Sequence, residues 1–166
     1  HQLERLAHVL TGRCPLGVVR RHGAEQVVLA DETLRVRFFP DQNRFTLGAI
    51  VRRDHPALAQ FPTGDYLGWQ WYSLAQGARG FILDKLPKSY RPIVQPVSDF
   101  HFSHKLGSIF EARTREGGRL LVCGYNLGEE PSRTPEGRQL LKSLVDYAGS
   151  AAFNPPQEVN REFLME

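Results

Sequence analysis

Two apolar runs, residues 105–113 and 119–125, are separated by Thr114-Arg115-Glu116-Gly117-Gly118. Each run has the length of a strand, and a short glycine-bearing connection between two such runs predicts an antiparallel hairpin. The two glycines are expected to supply positive φ in the turn. A helix comes next: Thr134-Pro135-Glu136-Gly137 reads as a cap with Pro in the first turn. Leu140, Leu141, Leu144, Val145 and Ala148 recur at helical spacing as its expected buried stripe. Phe153-Asn154-Pro155-Pro156 ends it.

The rest of the chain is less regular. Leu3, Leu6, Ala7 and Leu10 lie on one helical face, stopped by Thr11-Gly12 and Pro15. Residues 17–19 and 27–30 are short β-rich runs, and 34–38 alternates apolar and basic residues as a half-exposed strand does. Asp54-His55-Pro56 predicts a capped turn into a short helical piece, followed by a turn at residues 61–65. Residues 80–84 and 92–97 read as short strands buried on both faces. Strands mixed with helices predict an α/β class with a mixed sheet and flanking helices, the hairpin forming one edge. Residues 1–156 form the expected single domain, and 157–166 a tail or extra helix.

A chain of 166 residues and 18.8 kDa suits one domain, burying roughly 70% of its unfolded surface. Its 41% hydrophobic and 23% charged content excludes wholesale disorder and collagen-like repeats. No apolar run approaches the roughly 20 residues of a spanning helix. The net charge is only +3, and the densest basic clusters, Arg20-Arg21-His22 and Arg52-Arg53, lack the aromatic interleaving of a nucleic-acid surface. Cys14 and Cys123 leave one disulfide open, although the apolar setting of Cys123 is that of a small buried hydrophobe. The chain begins at His1 with neither Met nor leader, and is expected to be a piece of a longer protein.

Candidate chemistry is sparse. Glycoside hydrolysis needs two carboxyl groups across one sugar ring. Asp65 sits in a turn, Asp84 at a strand end, Asp99 in a loop and Glu111 on a strand's expected exposed face, so spacing singles out no pair. Asp99, His101 and His104 form an Asp-x-His-x-x-His pattern, compatible with a small metal-dependent hydrolase. The Gly-x-Ser-x-Gly elbow and the glycine-rich nucleotide loops are absent.

The aromatic segment is more distinctive. Tyr66, Trp69, Trp71 and Tyr72 fall within seven residues and include both tryptophans of the chain. Their faces can stack on the C–H face of a pyranose, with Gln70, Asp65 and Asp99 reaching its hydroxyls. Aromatic rings also fill cores and subunit interfaces, so packing and an oligomerisation module are the competing readings.

Three blocks, Thr46-Leu47-Gly48, residues 55–64 and Trp69-Gln70-Trp71, resemble a region of large bacterial family 2 glycoside hydrolases of β-galactosidase-like or sugar-binding kind. The likeness continues through Pro92-Ile93-Val94-Gln95, Asp99-Phe100, residues 105–112 and residues 118–124, and covers about Leu34 to Tyr147. It implies an accessory domain outside the catalytic barrel, with a layout similar to the class I glutamine-amidotransferase (flavodoxin-like) fold but without that family's Cys-His-Glu set. The barrel's catalytic glutamates have no matching positions, so no catalytic residue carries over and no cofactor is implied. The implied partners are the catalytic domain of the same protein and an oligosaccharide, a homo-oligomer being compatible. The implied location is periplasmic or secreted.

Overall fold

The computed structural model describes residues 16–21, 24–26, 46–75, 78, 80–98, 103–115, 117–125, 127 and 134–159. The helix expected at 2–10, the runs at 27–30 and 34–38, and Cys14, Asp99 and His101 lie outside the described residues.

Nine strands are described: β1 (Leu16–Arg21), β2 (Ala24–Gln26), β3 (Thr46–Val51), β4 (Phe81–Ile82), β5 (Val94–Ser98), β6 (Leu106–Gly107), β7 (Ile109–Thr114), β8 (Arg119–Cys123) and β9 (Glu158–Val159). Two described α-helices accompany them, α1 (Tyr72–Ala75) and α2 (Pro135–Gly149), with 3-10 turns at Pro56–Leu58 and Trp69–Trp71. The main sheet runs β2-β1-β8-β7-β5-β3, with β9 beside β7, while β4 and β6 pair separately. Helices packed on a mixed sheet place the chain in the α/β class. Among the described strands only the β7–β9 pairing is parallel.

The hairpin forms as β7 and β8, in register from Ile109↔Cys123 to Arg113↔Arg119. The turn closes through Thr114 N–H to Gly118 O at 2.7 Å and Gly117 N–H to Thr114 O at 2.9 Å. Of its two glycines only Gly117 has a positive φ, at 85°. The hairpin sits in the middle of the sheet rather than at its edge, because β1 pairs with β8 on one side and β5 and β9 with β7 on the other.

That central place explains the burial pattern. Ile109, Leu121 and Cys123 face the core that α2 covers, while Phe110, Ala112, Leu120 and Val122 face a second core with Phe81, Leu83, Leu86 and Val159. Period-two alternation sends neighbouring side chains to opposite faces, and here both faces are apolar. β5 is different. Val94 and Pro96 are buried but Gln95 and Val97 only half so, against the expectation of two buried faces. Pro96 pairs with Ala49 beside a register shift in β3, where its missing N–H costs the ladder least.

α2 starts as expected, with Thr134 Oγ1 accepting from Gly137 N–H at 3.1 Å and Pro135 in the first turn. Its inward stripe is rotated from the expected one: Leu140, Ser143, Leu144, Tyr147 and Ala148 are buried, Leu141 and Val145 half-buried. Ser143 takes an inward place because its hydroxyl donates to Ala57 O at 2.8 Å and accepts from Gln60 N–H at 3.1 Å. The sheet also reaches into the segment expected as a tail, since Glu158 and Val159 run parallel to Arg113 and Thr114. Among the described residues no helix is long and apolar enough to cross a membrane.

Candidate functional site

Gly68 is extended, and from there the chain enters the 3-10 turn Trp69–Trp71 and continues into α1. On such a turn residues three apart share a face. Trp71 and Leu74 therefore point inward together, and Trp69 and Tyr72 point outward together.

The inward face is packed. Trp71 has 0% of its surface exposed, lies edge-on to Phe61 at 4.8 Å between centroids, and meets Tyr125 at 5.4 Å. Its indole N–H donates to Thr63 Oγ1 at 2.7 Å, so the one polar atom of the ring is satisfied. This placement corrects two sequence expectations for Trp71: it is neither open to a sugar nor available to a subunit interface, because its own chain encloses it.

The outward face is bare. Trp69 is 90% exposed, Tyr66 73% and Tyr72 65%. The rings of Trp69 and Tyr72 stand 6.3 Å apart at 52° to one another. Leu67, Gly68, Trp69, Trp71, Tyr72 and Ala75 line a groove of about 360 Å³, at the small end of ligand pockets. Its base is held from both ends. Gln70 Nε2 donates to Pro62 O at 3.1 Å, and Ser73 Oγ donates to Glu136 Oε1 at 2.6 Å, joining α1 to the start of α2. That hydroxyl, with the backbone N–H beside it, holds the Glu136 carboxyl below the usual carboxylate range. Asp65, two residues ahead of the groove, pairs with Arg53 at 3.4 Å.

The remaining acidic and histidine candidates fall elsewhere. Asp84 Oδ2 lies 2.6 Å from His104 Nδ1, and its other oxygen accepts from Lys105 N–H at 2.7 Å. His104 is thus held by Asp84, a partner the Asp-x-His-x-x-His pattern did not include. Among the described residues no three metal-binding side chains converge. Cys123 is free and buried, and burial pushes its thiol up to about 12, which keeps it unreactive.

Glu111 departs most from expectation. It is buried, not exposed, and faces α2 from the central strand β7. Tyr147 OH donates to its Oε2 at 2.6 Å. His55 accepts the Ala57 N–H on Nδ1 at 3.2 Å, which leaves the proton on Nε2, 3.5 Å from Glu111 Oε1. Tyr90 OH donates to the Glu111 carbonyl at 2.6 Å. Burial works against the carboxylate, but the His55 and Tyr147 bonds outweigh it and hold Glu111 below the usual carboxylate range. Burial raises both tyrosine hydroxyls, so they remain donors. Sheet, 3-10 turn and helix meet at this carboxylate, and its work is to join them.

A family model described as a domain of unknown function, DUF8487, matches residues 35–166. The chain belongs to that family. The matched span takes in the whole aromatic segment, the hairpin and α2. No curated protein matches the chain.

Proposed function

We propose that the chain is a non-catalytic accessory domain of a bacterial family 2 glycoside hydrolase, β-galactosidase-like in kind, and that it contacts carbohydrate through Trp69 and Tyr72. The observation that carries this reading is the bare indole of Trp69 on a fixed base. Burying such a ring would gain about 1.5–3 kcal/mol or more, yet the fold buries Trp71 and leaves Trp69 in water beside a second exposed ring. Aromatic faces carry negative charge and attract the polarised C–H bonds on one side of a pyranose. A rigid base lowers the ordering cost of binding.

The same proposal takes the catalytic domain of the parent protein as partner and a periplasmic or secreted location. Its finer structural part, the amidotransferase-like layout, has the packing of α2 on the sheet in its favour and the antiparallel pairings around β7 against it.

Calorimetric titration of the chain with neutral and acidic oligosaccharides tests the reading. Binding that Trp69→Ala removes is the expected result; silence across the panel refutes carbohydrate contact. Sequencing the reading frame on both sides of the chain tests the parent: a continuous barrel-encoding frame supports it, and an isolated frame refutes it.

A further inference from the structure

We infer that the carbohydrate face proposed at Trp69 and Tyr72 takes uncharged, soluble glycan chains whose successive rings turn relative to one another. The inference rests on that proposed contact. Flat crystalline polysaccharide and acidic glycans are excluded.

Three features carry the inference. The two ring planes are inclined by 52°. Sugar rings on a crystal face are coplanar, so two aromatic planes at that angle cannot both lie flush on them. A chain that rotates from one unit to the next presents each ring to its own aromatic plane.

The spacing excludes a clamp. Atoms in contact sit about 3.5–4.0 Å apart, so holding one sugar between two facing rings needs about 7–8 Å between centroids. Trp69 and Tyr72 are 6.3 Å apart. At that spacing they leave no room for a sugar between them and offer two tilted platforms instead. Trp69 also stays largely in solvent, as a wall for internal units of a passing chain would, whereas a socket for a chain end would enclose it.

Charge selects the class. Among the described residues no charged side chain lines the groove, and Asp65, just ahead of it, is already paired with Arg53. A carboxylate or sulfate drawn against these described lining residues would lose water without gaining a cation from any of them, which is unfavourable.

The experiment measures binding of the chain to three probes: short neutral soluble oligosaccharides by calorimetry, microcrystalline cellulose and chitin by sedimentation, and polygalacturonate by gel retardation. Expected are binding to the neutral soluble class, weakened by about tenfold or more in Trp69→Ala and in Tyr72→Ala, and recovery of the crystalline solids without bound protein. Tyr72→Phe keeps the ring face and is expected to bind within about threefold of the unaltered chain. Retention on the crystals, or a preference for polygalacturonate, overturns this inference and leaves carbohydrate contact standing. Failure to bind any probe removes carbohydrate contact and this inference together.

Discussion

Trp69 and Trp71 are two residues apart and chemically identical, yet one is 90% exposed and the other fully enclosed. The difference comes from the turn that carries them: its repeat of three sends 71 and 74 to the core and 69 and 72 to water. It separates two roles that one aromatic cluster merges in sequence. The inner ring holds the fold, and the outer one is available to a ligand.

Truncating the inner ring is expected to have the largest effect. Trp71→Ala empties a packed site and removes the indole donor to the Thr63 hydroxyl, for a loss of about 3–5 kcal/mol by denaturant unfolding. A loss below about 1 kcal/mol would break the contrast between the two rings. Tyr147→Phe comes next, at about 1–3 kcal/mol, since it takes one donor from a buried carboxylate. Near-zero cost would show that the Glu111 junction does not bind α2 to the sheet. Thr134→Ala removes the α2 cap, at about 1 kcal/mol. Trp69→Ala is expected within about 0.5 kcal/mol of the unaltered chain, and a larger loss would show the outer ring to be structural.

The Glu111 junction adds a pH dependence. Its carboxyl titrates lower folded than unfolded, so its contribution is fully present above the unfolded value of about 4.3 and falls away as pH drops through the folded one. Unfolding midpoints measured across acidic pH should decline below about pH 5, and Glu111→Gln should flatten that decline. An unchanged slope in the variant would assign the acid sensitivity to other groups.

Local signals in the sequence carried well. The Thr134-Pro135 start of α2 and the Gly117-Gly118 turn depend on residues within a few positions of each other, and both formed. What required distant partners did not show. As a charged residue on a strand Glu111 is expected on the exposed face, yet it is buried, because its carboxylate's partners, His55 and Tyr147, come from other parts of the chain. The inward place of Ser143 is equally illegible locally, its partners Ala57 and Gln60 being far away in the chain. The division between Trp69 and Trp71 was within reach: Leu74 follows Trp71 by three and marks the inner face, while Tyr72 follows Trp69 by three and marks the outer.

The decisive measurement tracks the two indole N–H resonances of the isotopically labelled chain during titration with a soluble neutral oligosaccharide. Trp69 should shift progressively and saturably, while Trp71, bonded to Thr63 inside the core, stays in place. A saturable shift of Trp71 beside a motionless Trp69, or no shift in either, would contradict the division of labour between the two rings.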